Sequence, residues 1–323
     1  MKPLPSDRLP PAICLAGPTA SGKTRIAVEL VQSGHFEIIS VDSALVYRGL
    51  NIGAGKPDAV TLALAPHRLI DIRDPAVPYS AAEFRSDALR ELRQVLQAGK
   101  IPLLVGGTML YFKALRDGLA DLPPADPAIR ERITDMAGRL GWPAIHARLA
   151  LVDPVSAARL NPNDPQRLQR ALEVYESTGR PLSEFHRRHR DEAATDLPCR
   201  LHFIGLLPTD RAALHQVIAQ RFQHMLDAGL LDEVRALQAR GDLSCDLPSL
   251  RSVGYRQLWD FLAGHSDHDT MVAKAVAATR QLAKRQLTWL RGWKDLQEVP
   301  VTLTVEDAIN VKSCLKSKLG ISM

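Results

Sequence analysis

The feature that most limits what this chain can fold into is the run Gly17-Pro18-Thr19-Ala20-Ser21-Gly22-Lys23-Thr24, which fits G-x-x-x-x-G-K-[ST]. Such a loop works only where a buried strand hands over to a helix. Both flanks are present. Residues 12–16 (AICLA) form a short apolar run that ends in Gly-Pro, the pattern of a buried strand entering a turn. After Gly22, the side chains of Ile26, Ala27 and Leu30 fall on one helical face. The β-branched run 37–41 (EIISV) then reads as a second strand. Strand, helix, strand is a βαβ unit, and such units build parallel sheets.

The alternation continues through a helix at 81–98, with Phe84, Leu89, Leu92 and Leu96 on its apolar side and Gly99 ending it. Residues 101–105 (IPLLV) read as another buried strand, followed by Gly106-Gly107 and a helix starting near Thr108. From 122 to 198 the character changes. Prolines cluster at Pro123, Pro124 and Pro127, helical segments follow at 130–140, 144–152 and 167–177, and Arg187, Arg188 and Arg190 form a basic run. This reads as a helical insertion. Residues 202–207 (HFIGLL) return to strand character and rejoin the parent sheet. Asp210 caps a long helix whose Leu214, Val217, Ile218, Phe222, Met225 and Leu226 make a core stripe, and another helix spans 270–291. The expected fold is α/β: a P-loop NTPase-like parallel sheet flanked by helices, formed by 1–122 and 200–323, with an all-helical insertion domain at 123–199.

Hydrophobic residues make up 46% and charged residues 24% of the 323, which argues against disorder. Lys plus Arg outnumber Asp plus Glu by 41 to 36, a net charge of +5. That balance suits a polyanionic partner or simply a mildly basic surface. Cys14, Cys199, Cys245 and Cys314 are far apart and form no CxxC, which excludes a zinc ribbon and a thioredoxin-type pair and fits a reducing cytoplasm. Residues 1–11 lack the apolar core of a signal peptide, and no apolar run approaches the ~20 residues that span a bilayer.

The chemistry of the loop follows from its residues. Glycines let backbone N–H groups converge on an anion, and the helix behind adds its positive N-terminal end. Lys23 brings a point charge to the terminal phosphates, and the Thr24 hydroxyl can sit on Mg²⁺. Asp42 follows the second strand, at the carboxyl end where ligands gather in open α/β sheets. It is a general base, a helix cap or an outer ligand of Mg²⁺. The strand at 101–105 ends in Gly106-Gly107-Thr108 with no carboxylate, so the acidic Mg²⁺ ligand of a typical ATPase is missing. Thr108 is a substrate contact or a helix N-cap. Arg167 and Arg170, one helical turn apart, suit RNA phosphate, a lid over a nucleotide or a solvated face. Arg221 suits pyrophosphate or a surface ion pair.

Six ordered stretches go further: AGPTASGKT (16–24), VDSALVYRGLNIG (41–53), LLVGGTMLYFKAL (103–115), NDPQRLQRALEVY (163–175), LPSLRSVGYRQLW (247–259) and TRQLAKRQLTWLR (279–291). With these, nearly the whole chain resembles the bacterial tRNA dimethylallyltransferases, the isopentenyl-tRNA transferase or IPP transferase family. The resemblance implies that dimethylallyl diphosphate places its pyrophosphate in the loop, on Gly17, Pro18, Thr19, Ala20, Ser21, Gly22, Lys23 and Thr24 and on Arg221, with Mg²⁺ at Thr24. It implies attack by N6 of the adenosine 3′ to the anticodon, position 37 of tRNA, with Asp42 as base and Thr108 at the reacting nucleotide. It further implies tRNA contacts at Asp42, Ser43, Ala44, Leu45, Thr108 and Arg130, at Gln166, Arg167, Leu168, Gln169 and Arg170, and at Leu247, Pro248, Ser249, Leu250, Arg251 and Ser252. The helical insertion would embrace the anticodon stem-loop, and the protein would be a cytoplasmic monomer. The chain departs from relatives at Leu45, where some carry Gln, and at Gly53-Ala54-Gly55-Lys56-Pro57, where many read Gly-Thr-Ala-Lys-Pro. No zinc-finger tail follows, so zinc is not expected. Without the resemblance, a small-molecule or nucleotide kinase shares the loop, the strand-end carboxylate and the arginines, and a non-catalytic RNA-binding module shares the basic balance.

Overall fold

In the computed structural model, which describes residues 9–192, 196–304 and 306–319, the chain divides into two compact units. One comprises the chain up to Arg116 together with the chain from Asp196 onward, and the other is Asp117–Thr195.

The first unit opens with β1 (Pro11–Ala16), α1 (Lys23–Val31), β2 (Phe36–Val41), α2 (Ala59–Leu64), β3 (His67–Arg68), α3 (Ala81–Gln97), β4 (Ile101–Gly106) and α4 (Met109–Asp117). The second unit is helical: α5 (Pro127–Leu140), α6 (Trp142–Val152), α7 (Pro154–Ala157), α8 (Pro165–Thr178) and α9 (Leu182–Glu192). The first unit resumes with β5 (Arg200–Pro208), α10 (Arg211–Asp227), α11 (Leu230–Ala239), α12 (Tyr255–Leu262), α13 (His268–Arg291), β6 (Gln297–Val301) and α14 (Asp307–Leu319). The strands make one sheet in the order β3-β2-β4-β1-β5-β6, every pair parallel. β1 lies at its middle, paired to β4 through Ile13–Leu103 and Leu15–Val105 and to β5 through Cys14–Phe203 and Ala16–Gly205.

A parallel sheet is covered on both faces, so its central strands are apolar along their length. Successive residues of each strand serve opposite faces. Ile13, Leu15, Ile38 and Leu103 pack with Ile26 and Leu30 of α1 and Val311 and Leu315 of α14. Ala12, Cys14, Ile39 and Leu104 pack with Phe84 and Leu92 of α3 and Phe112 of α4 on the other face. That arrangement leaves the carboxyl ends of β1, β2 and β4 open, and the loops leaving them carry the site. Local signals agree. Ser80 and Glu83 close a reciprocal capping box at α3, Gly99 follows it at φ 71°, and the Asp210 carboxylate accepts the Ala212 amide at the head of α10.

The helical unit gives Pro127 of the proline cluster, and two later prolines, a place at helix starts. Asp126-Pro127, Asp153-Pro154 and Asp164-Pro165 each start a helix, the aspartate accepting first-turn amides while the proline occupies a position whose N–H would have no partner. Each such cap is worth about 1 kcal/mol. The core of the unit is Ile129, Ile133, Ile145, Leu149, Leu168 and Leu172. The sequence reading ran the insertion to 199, whereas Leu197 and Cys199 already pack against the core of the first unit. The side chain of Arg190 in the basic run, and residues 1–8 of the N-terminal segment, lie outside the described residues. Among the described residues no helix is long and apolar enough to cross a membrane.

Candidate active site

The phosphate loop leaves β1 and enters α1. Its backbone takes left-handed angles at Ala20 (φ 64°) and Gly22 (φ 81°). For an alanine this costs on the order of 1–2 kcal/mol, which marks a loop held in place for a purpose. The Ser21 amide closes the turn on the Pro18 carbonyl at 3.3 Å. The Lys23 ammonium folds back to donate to the same carbonyl at 2.6 Å and lies 3.5 Å from Ser21 Oγ. Burial pushes the Lys23 ammonium down to about 7, against the pull of Asp42 and with the push of Arg221. A lysine this close to losing its charge would regain it beside an anion.

A cavity of about 650 Å³ opens beside the loop. Its wall brings together Thr19, Ala20, Ser21, Gly22, Lys23 and Thr24 with Asp42, Ser43, Ala44, Leu45, Thr108, Arg221, Pro248, Arg251 and Ser252. Arg25 and Arg285 also line it, so five cations (Lys23, Arg25, Arg221, Arg251 and Arg285) face the single carboxylate of Asp42. Gly17 and Pro18 shape the loop without lining the cavity.

Asp42 uses its two oxygens differently. Its Oδ1 accepts the amides of Ala44 (2.8 Å) and Leu45 (3.3 Å), capping a turn where the sequence offers a helix cap as one alternative. Its Oδ2 accepts no hydrogen bond among the described residues. Thr108 does not cap α4 with its side chain: Oγ1 accepts the Ser43 amide at 3.1 Å and donates to Ser43 Oγ at 3.4 Å. This ties the end of β4 to the Asp42 turn, as does the Thr108 amide on the Val41 carbonyl.

Arg221 is no surface ion pair. Burial lowers its guanidinium below the ordinary arginine value, with Asp42 opposing. It lies over Gly55, where any Cβ would overlap it. The loop beneath is pinned from α11 and α12: Glu233 accepts the amides of Asn51, Ile52 and Gly53, and the Tyr255 hydroxyl donates to Glu233 at 2.6 Å and accepts from Ala54 N at 3.1 Å.

Several expected tRNA contacts stand elsewhere. Leu168 is fully buried in the helical unit. Ser249 and Leu250 are buried too, Ser249 Oγ on the Pro75 carbonyl, so these three side chains hold the fold instead of meeting solvent. Leu247 packs against the core. Arg130 and Arg170 both grip the buried Glu173 carboxylate, at 2.9 and 2.8 Å, and Arg170 also donates to the Pro123 carbonyl. For Arg170, one of the two arginines with a solvated face as an alternative reading, the side chain is instead held by Glu173 and the Pro123 carbonyl. Gln169 donates to the Arg130 carbonyl and to Thr134 Oγ1. Gln166 and Arg167 are exposed, with Arg167 paired to Asp164 at the surface.

Besides Arg25 and Arg285, Ser40 and Gln286 are site residues that sequence reasoning missed. Ser40 on β2 lines the cavity, and its buried Oγ has no hydrogen-bond partner among the described residues. Gln286 on α13 accepts the Thr19 amide and donates to the Gly107 carbonyl. Neither sits in a motif that names its role. A buried polar residue on an otherwise apolar helical face was the available signal for Gln286.

The chain matches the family model described as IPP transferase over residues 45–293 and that described as isopentenyl transferase over 11–73. It is 60% identical over 294 residues to the tRNA dimethylallyltransferase of Thioalkalivibrio sulfidiphilus (strain HL-EbGR7), covering 91% of each chain. Among solved structures it resembles the full-length tRNA isopentenylpyrophosphate transferase of Bacillus halodurans, with TM-score 0.69, 32% identity and 97% of each chain covered. A tRNA delta(2)-isopentenylpyrophosphate transferase of Staphylococcus epidermidis follows, with TM-score 0.65, 30% identity, and 96% and 100% of the two chains covered. The fold is shared as well with a eukaryotic dimethylallyltransferase acting on tRNA, at TM-score 0.75 and 24% identity, covering 95% of this chain and 78% of that one.

Proposed function

This chain belongs to the IPP transferase family, and from that premise we propose how its cavity carries out a prenyl transfer to one particular nucleotide. The protein is a prenyltransferase that modifies tRNA. In our reading the donor is dimethylallyl diphosphate and the acceptor is N6 of the adenosine 3′ to the anticodon, position 37. N6 attacks the allylic carbon, the carbon–oxygen bond to diphosphate breaks, and diphosphate leaves with the electron pair.

The observation that supports this most is the meeting of the phosphate loop and Asp42 in one cationic cavity. Lys23, Arg221 and the amides of 20–24 would meet charge that grows on the leaving diphosphate, fixed donors needing little reorganisation at the moment of reaction. Asp42 Oδ2 would accept the proton that N6 gives up. Thr108 and Ser43 would fix the turn that aims it. An acceptor base inside this cavity must be taken out of its stack, which a loop nucleotide allows.

Mg²⁺ fits the same residues. Among the described residues no three acidic, histidine or cysteine side chains converge. Mg²⁺ commonly rests on one or two protein oxygens and completes its shell with phosphate and water. Thr24 would hold it through Oγ1, and the partnerless Ser40 hydroxyl is the kind of group that a hydrated cation or a phosphate oxygen satisfies. Bound there, the ion would offset charge on the diphosphate. Beyond the first unit, Gln166 and Arg167 are the exposed members of the 166–170 stretch and would face RNA phosphate.

The test is mass spectrometry of unmodified tRNA after incubation with the protein, Mg²⁺ and dimethylallyl diphosphate, with ATP as parallel donor. One dimethylallyl group gained on the adenosine beside the anticodon is the expected result. A gain at another nucleotide would sink the positional reading. No gain with dimethylallyl diphosphate from folded protein, or a phosphoryl gain with ATP, would sink the donor.

A further inference from the structure

The Gln286 carboxamide sits on the buried face of α13, in register with Ala283 and Leu290, and is 9% exposed. A polar group on such a face is costly unless both of its ends are satisfied. Here they are. Gln286 Oε1 accepts the Thr19 amide at 2.8 Å, and Nε2 donates to the Gly107 carbonyl at 2.9 Å. The partners leave no ambiguity in the amide's orientation, because a backbone N–H requires the oxygen and a carbonyl requires the nitrogen.

The two partners belong to opposite sides of the reaction. Thr19 is part of the loop assigned to the leaving diphosphate. Gly107 immediately precedes Thr108, whose hydroxyl and amide are tied to Ser43 and Val41 on either side of Asp42. One side chain, projecting from a third element, therefore bridges the loop after β1 and the loop after β4. The backbone makes room for it: a Cβ at Gly107 would overlap Gln286 Nε2. Oδ1 of Asp42 caps its own turn and does not reach across, so the carboxamide adds a side-chain tie between the two loops just beyond the paired ends of β1 and β4, where Ala16 lies opposite Gly106.

We propose that Gln286 is a positioning residue for prenyl transfer, holding the diphosphate loop at a fixed distance from the Asp42–Thr108 wall. This rests on the prenyl-transfer reading above. Nucleophile and leaving group must be aligned to within a fraction of an ångström for displacement at carbon, and a small misplacement far from the chemistry is felt in the rate. The Thr19 amide is also withheld from the diphosphate. The loop therefore presents its remaining amides, of which those in 20–24 line the cavity.

The experiment replaces Gln286 by methionine, which keeps length and volume but makes neither hydrogen bond, and measures steady-state prenylation of tRNA beside the wild-type protein. We expect kcat to fall about 10- to 100-fold. The KM for tRNA should stay within about twofold, since uniform binding is untouched. Hydrogen exchange at the Thr19 amide should speed up by about tenfold or more while sheet amides such as Leu15 keep their protection, a readout independent of activity. Wild-type kcat in a folded Gln286→Met protein would overturn the assignment. So would a kcat loss matched by a general loss of amide protection, which marks a merely structural residue. Gly107→Ala tests the bridge from its other end and serves if Gln286→Met fails to fold. Where both fold, the double variant should be no slower than the worse single one, whereas multiplying losses would mean that the two positions act separately. Wild-type protein that prenylates no tRNA would sink the underlying reading and this one with it.

Discussion

Asp42 caps its turn with one oxygen and, in the function proposed above, gives the other to the proton transfer, which separates two kinds of substitution. Asp42→Asn keeps an oxygen for the Ala44 and Leu45 amides but removes the proton acceptor. We expect kcat to drop by about 10²–10⁴ while tRNA still binds, measured by single-turnover prenylation alongside filter binding. Equal activity would remove Asp42 from the proton transfer. Lys23 carries a second expectation. With its ammonium lowered to about 7 by burial, it is largely neutral at pH 8 until a diphosphate arrives and restores its charge. Binding should therefore take up a proton, and affinity should weaken as pH rises from about 7 toward 9. Calorimetry in buffers of different ionisation enthalpy reads that proton, and Lys23→Met should abolish the uptake. At this scale the motif residues were legible because a phosphate loop and a strand-end carboxylate have fixed offsets. Ser40 and Gln286 were not, since a lone hydroxyl on a strand and one amide on a helix repeat no pattern. Their meaning comes from what the fold places opposite them.

Among elements, α8 is the one whose residues changed meaning most. Read alone, Arg167 and Arg170 were one charged face. In three dimensions Arg170 joins Arg130 on Glu173, whose side chain is wholly buried, while Arg167 stays at the surface with Asp164. Burial alone would raise the Glu173 carboxyl, yet the two guanidiniums and the Asp126 amide outweigh it and hold the group below the ordinary glutamate range. The sign follows. This network stabilises the helical unit at pH values above that range, and the contribution is lost as pH falls through the lowered value. Removing the carboxylate leaves two partly exposed cations that water can still reach, so Glu173→Ala should cost the helical unit about 1–3 kcal/mol, read by chemical denaturation. An unchanged midpoint would mean that the network is ornamental. The element pattern was readable where apolar periodicity or a cap was strong, as in β1, α3 and α13. It was not where β3 spans two residues, β6 is a half-exposed edge strand, and α11 follows α10 after only Ala228 and Gly229.

For the whole molecule, the net charge of +5 becomes a statement about tRNA. Binding to a polyphosphate releases counterions, so affinity should fall steeply as salt rises from about 50 to 200 mM. Arg167→Ala should reduce the slope of log affinity against log salt by about 1, whereas Arg170→Ala should act chiefly through stability of the helical unit. Equal slopes for wild type and Arg167→Ala would mean that Arg167 is simply solvated. The two-part organisation showed in the sequence as a break in α/β alternation. The exact limits did not, because Leu197 and Cys199 carry no sign of which core they join.

The place of β1 in the sheet has a consequence for how the protein comes into being. β1 ends at Ala16, but β5, one of its two neighbours, begins only at Arg200. On a ribosome adding about 5–20 residues per second, the strand feeding the phosphate loop waits roughly 10–40 s with that edge unpaired. During that interval the helical unit, built from near-neighbour contacts, can complete itself and shorten the gap to be closed. The nascent chain therefore offers an apolar strand edge for its own synthesis time, and chaperone demand should follow how quickly 117–195 folds.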